Sequence, residues 1–222
     1  TPKPSSAASD VYKRQEISYK NNQYPIITMR KNNHIIKIYS MVHIAPESFY
    51  NDIYEHVSQD INLDFAVHME GIKESPFKED SLYQDLADEI GFSMQSVLFQ
   101  KFEFKKLDYT YDQFPFIDKI RINIARRSLK KLIEEIKENE RIQNSIKSFY
   151  YDDHPRKESS ILKKIIFGKT ITTERSNHAA QQAILDTSNV SLLWGRGHVE
   201  EIVTFLINHG YEIEQEEMIT IS

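Results

Sequence analysis

The chain contains no cysteine. That removes disulfide cross-links, a thiolate nucleophile and every cysteine-based zinc site from consideration. It has no excess of positive charge either: 28 Lys and Arg stand against 33 Asp and Glu, a net charge of -5. A nucleic-acid surface normally needs a clustered basic surplus, so nucleic acid is not an expected partner. No apolar run approaches the roughly 18 residues that span a bilayer, so no transmembrane segment is expected. The familiar short signatures are missing as well. There is no G-x-S-x-G elbow, no H-E-x-x-H, no phosphate-binding P-loop and no G-x-G-x-x-G opening a β–α–β unit. No repeat of 20–50 residues points to a solenoid.

What is present is enough for one large α/β domain. The 222 residues are 40% hydrophobic, ample for a core, and 27% charged, which implies solvated helical surface. Residues 1–15 stand apart. Thr1 to Ala8 is rich in Pro, Ser and Ala, and Ser6 to Gln15 resembles a translated sequencing-adapter remnant. On that reading they lie outside the fold; a native disordered tail is the other explanation. With the start in question, any leader or anchor would be missing, and a cytoplasmic location is only the default.

Residues 16–222 then form the domain, with a helical insertion over about 80–168. Tyr24 to Arg30 alternates like a strand, Asn32-Asn33 is a turn signal and His34 to Val42 is the return strand of a hairpin. Pro46 opens a helix to about Gln59, with Phe49, Ile53 and Val57 on one face. Strand 63–70 completes a β–α–β unit, and parallel neighbouring strands there would bring His43 and Glu70 to one rim. Asp80-Ser81 caps a predicted helix through Leu98, and Lys101 to Tyr109 alternates as a strand. A long charged helix runs from Phe116 to Phe149, its apolar stripe including Ile117, Ile120, Ile124, Leu129, Ile133 and Ile136. Further helices are expected from Glu158 to Gly168, from Thr172 or Thr173 to Asp186, and from His198 to Asn208. Strands are expected at 190–194, 211–213 and 218–221. The fold class is therefore α/β: a central mixed or parallel sheet made of two β–α–β half-units with a charged helical insertion between them.

Two histidines occupy matching places in this plan. His43 follows the apolar run Ile35 to Val42, and His198 follows Val190 to Trp194 through the turn Gly195-Arg196-Gly197. Catalytic and ligand-binding groups of open α/β sheets gather at the carboxyl ends of strands. Glu70 ends a third strand. Two imidazoles and a carboxylate suit a divalent metal or acid–base chemistry. Each also has a plainer reading: a histidine at a strand end is commonly a hydrogen-bonded structural residue, and a Glu70–Arg175 salt bridge accounts for Glu70 as well as ligation does. His68 shares a strand face with Glu70, and His178 a helix face with Arg175. The glycine turn leaves N–H groups that could take an anion, with Gly195 and Gly197 as candidates.

These residues carry a resemblance. Gly195-Arg196-Gly197-His198, Glu70 in Val67-His68-Met69-Glu70, Arg175 in Thr173-Glu174-Arg175, and an acidic position at Leu107-Asp108-Tyr109 resemble, in order, the motifs of the TraB/GumN/TIKI superfamily. The likeness spans about 34–213. Its first G-x-x-H motif is Ser40-Met41-Val42-His43 here, with Ser for Gly, and Ser176 follows Arg175 where Asn or Asp is usual. The resemblance implies an α/β fold of two related halves and, in some members, metal-dependent peptidase activity preferring Mn²⁺ or Co²⁺. It implies a metal-dependent hydrolase, a peptidase or amide hydrolase. His43, His198 and Glu70 would hold a divalent ion (Mn²⁺, Co²⁺ or Zn²⁺), with Glu70 as ligand or general base and Arg175 at the oxyanion of a peptide or small-molecule substrate. The alternative is a non-catalytic peptide- or ligand-binding regulator on the same fold, which Ser40 favours.

Overall fold

The computed structural model describes residues 19–71, 81–154 and 170–222. The N-terminal stretch, Asp80 and the expected helix from Glu158 to Gly168 lie outside the described residues.

A six-stranded sheet organises the chain in the order β6-β4-β7-β2-β1-β8. β1 (Gln23–Lys31) and β2 (His34–Met41) form the expected antiparallel hairpin, turning at Asn32, which sits at φ 53°, a conformation Asn tolerates well. β2, β7 (Val190–Gly195), β4 (Ala66–Met69) and β6 (Lys105–Lys106) run parallel. β8 (Glu212–Thr220) closes the other edge, antiparallel to β1. Most β8 side chains are exposed, and Glu212, Glu214, Glu216 and Glu217 lie along it. A two-residue pair, β3 (Ile44–Ala45) with β5 (Ser93–Met94), makes a separate ladder.

Helices cover both faces. Because successive strand residues point to opposite sides, Ile26, Tyr39, Met69 and Leu193 pack under Phe49, Ile53 and Val57 of α1 (Glu47–Ile61). Ile27, Ile38, Leu192 and Trp194 face the other way. They meet Ala179, Ala180 and Ala183 of α5 (Arg175–Leu185) and Ile202, Val203 and Leu206 of α6 (Val199–Asn208). The alanines bring α5 close to the sheet. Apolar residues on both faces are the signature of parallel strands buried on both sides. α1 is also tied down at its C-terminal end: the carboxylate of fully buried Asp60 accepts from Tyr39 Oη (2.6 Å), Ser191 Oγ (2.7 Å) and Lys37 Nζ.

The insertion is a helical layer of α2 (Ser81–Ile90), α3 (Phe116–Glu138) and α4 (Glu140–Tyr150). Leu86, Ala87 and Ile90 pack there against Ile133 and Ile136, with Leu129, Ile142 and Ile146 at the margin.

Several expectations need correction. β2 and β4 are not neighbours; β7, from the far end of the chain, lies between them and pairs with both. The helix expected through Leu98 stops at Gly91, whose φ of +67° ends it, and only Lys105–Lys106 of the 101–109 run forms a strand. The helix expected from 116 to 149 is two helices. Asn139 breaks it with an extended backbone, and its side-chain oxygen accepts from the N–H groups of Arg141 and Ile142, capping α4. A π-helical turn at Thr170–Glu174 leads into α5. The strands expected at 211–213 and 218–221 are one strand, β8, with a bulge opposite Thr28 and Met29.

Candidate functional site

Parallel strands deliver their following residues to one rim, and four of them do so here. His43 lies two residues past β2, Glu70 directly past β4, and Asp108 two residues past β6. His198 ends the 3-10 segment Arg196–His198 that follows β7. Arg175 reaches the same rim from the first turn of α5.

Arg175 is the hub. It is 6% exposed, a depth at which an unpaired guanidinium would be costly. Its Nε donates to Asp108 Oδ1 at 2.8 Å, and its Nη2 donates to Glu70 Oε1 at 2.7 Å and to Asp108 Oδ2. Asp108 also accepts from the backbone N–H of Gly71 (3.2 Å) and Tyr109 (2.7 Å). Glu70 Oε2 accepts from Gly195 N–H at 2.6 Å. That contact explains the glycine: a Cβ at 195 would lie 2.7 Å from Glu70 Oε2. Burial works to raise the Glu70 carboxyl, but Arg175, His198, His43 and the Gly195 N–H together overcome it and hold it at about 2. Glu70 is an anion at neutral pH.

His198 is fixed through one nitrogen. Ser176 Oγ donates to the Thr172 carbonyl at 2.5 Å, so its lone pair faces His198 Nδ1, 2.8 Å away, and Thr172 O lies 3.2 Å from the same nitrogen. Both neighbours accept, so the network assigns the proton to Nδ1. Nε2 is left with its lone pair, 3.7 Å from Glu70 Oε1. Burial, aided by Arg175, pushes the His198 pKa below 6.5 against the pull of Glu70. The ring is neutral at neutral pH.

His43 is placed differently. It is exposed, stacked on Tyr83 of α2 with ring centroids 4.7 Å apart, and its Nδ1 lies 3.0 Å from Gln95 Nε2. With the amide in that orientation Nδ1 accepts and the proton sits on Nε2. Ser40 is buried, and its Oγ has no hydrogen-bond partner among the described residues; the same holds for Nε1 of Trp194, its register partner on β7.

Glu70, Arg175 and His198 of the sequence-derived set are thus in contact, while His43 stands at the outer edge. Gly195 serves Glu70 with its N–H, and Gly197 lies in the exposed turn. His68 belongs elsewhere: its Nε2 meets Asp186 at 3.0 Å near the opposite end of α5. His178 packs edge-on against Tyr109. Gln95 and Tyr83 carry no signal in the sequence and Thr172 figures there only as a helix start, because each acts at the site through a contact made only on folding. Asp108 and Ser176 are visible there only as positions in a resemblance.

The donor chemistry suits a divalent cation at Glu70 and His198. One is an anion, the other a neutral imidazole whose second nitrogen is anchored to protein oxygen, as ligating histidines are held. The ligand atoms of His43, Glu70 and His198 do not all lie within 4.8 Å of one another. Among the described residues the group that does is Asp152, Asp153 and His154, at the surface. No helix among the described residues is long and apolar enough to cross a membrane. No protein-family model matches the chain, and comparison with curated proteins and with solved structures gives no match either.

Proposed function

We propose that the chain is a metal-dependent hydrolase of peptide or amide bonds, of the TraB/GumN/TIKI type. The observation that carries this reading is the facing pair of Glu70 Oε1 and His198 Nε2, 3.7 Å apart and in the protonation states that ligation requires. Glu70 and His198 would hold the ion; His43 would join them from the rim through Nε2 once its proton sits on Nδ1 and the Gln95 amide turns its oxygen to that nitrogen. A divalent ion there lowers the pKa of its bound water and makes hydroxide available near neutral pH. The protein's part is to hold its donors still. Thr172 O and Ser176 Oγ fix the His198 ring and its tautomer. Asp108 holds Arg175, and Arg175 with the Gly195 N–H holds Glu70. Arg175 is engaged by two carboxylates, so it acts as a positioning group for Glu70 first and as an oxyanion partner only in what remains of its donor capacity.

One observation favours a second reading, a non-catalytic peptide-binding protein: both oxygens of Glu70 are already satisfied, by Arg175 and by Gly195 N–H. The test separating them is a titration of Mn²⁺, Co²⁺ and Zn²⁺ followed by melting temperature, since an ion bound to the folded state raises it by mass action. The hydrolase reading expects a shift in the wild type that is lost in His198→Ala and in Glu70→Gln and weakened in His43→Ala, together with cleavage of a peptide panel. No shift in any variant, with saturable peptide binding and no product, leaves the binding protein.

A further inference from the structure

α3 is the longest helix among the described residues. At 1.5 Å per residue its 23 residues span about 35 Å, against about 16 Å for the 11 residues of α4. α4 and α2 cover the C-terminal half of α3, where Ile133 and Ile136 are buried. The N-terminal half packs on one side, where Asp118 is buried and Ile122 half-buried, and its other face is open. Phe116 is 79% exposed, Ile117 54%, Ile120 37% and Ile124 57%. At 100° per residue these four share one helix face, and Arg127 and Lys131 continue it.

The charge of this segment is opposite to that of the whole. From 116 to 131 there are Lys119, Arg121, Arg126, Arg127, Lys130 and Lys131 against one acid, Asp118. That acid is buried and accepts from Arg121 at 2.6 Å. The rest of a chain of net charge -5 is accordingly acidic. An apolar stripe with cations at its end needs an occupant that takes both. A second copy would present the same cations to its mate. A soluble polyanion would use the cations and leave Phe116 and the isoleucines in water. The headgroup boundary of an anionic bilayer accepts the apolar side chains just below the surface and the cations at it.

We propose that the N-terminal half of α3 docks on an anionic lipid bilayer, with Phe116, Ile117, Ile120 and Ile124 below the headgroups and Arg127, Lys130 and Lys131 among them. The inference is independent of the hydrolase reading. The test is co-sedimentation of the full chain with vesicles of phosphatidylcholine alone or with one-third phosphatidylserine. Two variants accompany it: Phe116→Ser/Ile120→Ser/Ile124→Ser and Arg127→Glu/Lys131→Glu. These side chains are exposed, so both variants keep the wild-type circular dichroism and melting temperature, which is checked first. The expected result is binding to the phosphatidylserine vesicles that weakens with salt and falls by roughly tenfold or more in each variant. Absence of binding, or binding that neither variant reduces, overturns the proposal. Concentration-dependent dimerisation abolished by the serine variant, without vesicle binding, overturns it in favour of self-association.

Discussion

Met41 and Gly195 are partners in register on adjacent parallel strands, and His43 and His198 follow them by two and three residues. From that near-symmetry the two halves part. His198 is enclosed, donates its Nδ1–H to protein oxygen and turns a lone pair toward Glu70; His43 is exposed, stacks on Tyr83 and accepts at Nδ1 from Gln95. The residue that differs between the motifs follows the same divide. Gly195 is a glycine because Glu70 Oε2 occupies the space a Cβ would fill, whereas Ser40 carries its side chain in the core. A repeated motif therefore specifies where a histidine is delivered, and its surroundings decide what that histidine can do. Here the β7 half is built and the β2 half is an open flank.

The largest expected loss is at Arg175. Arg175→Met leaves Asp108 and Glu70 buried without their cation, a loss of about 3–5 kcal/mol. It appears as a lower urea midpoint. The glycine contrast comes next. Gly195→Ala forces Glu70 off the Gly195 N–H and should cost roughly 1–3 kcal/mol. Ser40→Ala, which removes a buried hydroxyl lacking a partner among the described residues, should stay within about 0.5 kcal/mol of wild type or stabilise. Equal losses from the two would erase the asymmetry. A smaller effect separates the histidines: His198→Gln should cost on the order of 1 kcal/mol through lost hydrogen bonds to Thr172 and Ser176, and His43→Gln less, as an exposed ring.

Acid sharpens the same contrast. The Glu70 carboxyl is depressed from 4.5 to about 2 in the folded chain, so its stabilisation is complete above pH 4.5 and is lost as pH falls toward 2. The His198 ring is also depressed, from 6.5, so folding resists its protonation and stability begins to fall below pH 6.5. Melting temperatures from pH 7 downward should show His198→Gln with a shallower decline than wild type just below pH 6.5. Glu70→Gln should flatten the decline between pH 4.5 and 2. Unchanged slopes in both would mean that neither group is held as described.

Local elements were legible because they rest on local physics. The hairpin about Asn32, the α1 face of Phe49, Ile53 and Val57, and the end of α6 at Asn208 each follow from neighbours a few residues apart. The insertion of β7 between β2 and β4 was not, since nothing in a strand of Val, Leu and Trp names its partners. The break at Asn139 was hidden for a related reason: the apolar spacing of Ile133 and Ile136 continues across it to Ile142 and Ile146, and the cap that stops α3 is one side chain. In the site, Glu70, Arg175 and His198 could be read from strand ends and from a resemblance. What could not be read is that Arg175 spends its charge on two carboxylates, because Asp108 arrives from a two-residue strand at the sheet's edge.

The glutamates of β8 have a consequence for the molecule among its own kind. An outermost strand offers backbone donors and acceptors to any chain that can lie alongside, and this one is nine residues long. Two such edges meeting in solution would bring Glu212, Glu214, Glu216 and Glu217 against their own copies, and like charges set directly opposite repel. Growth of the sheet from one molecule into the next, the first step toward a fibril, is opposed by like charge at the place where hydrogen bonding would allow it, with Glu214 answered by Arg30 at 2.7 Å.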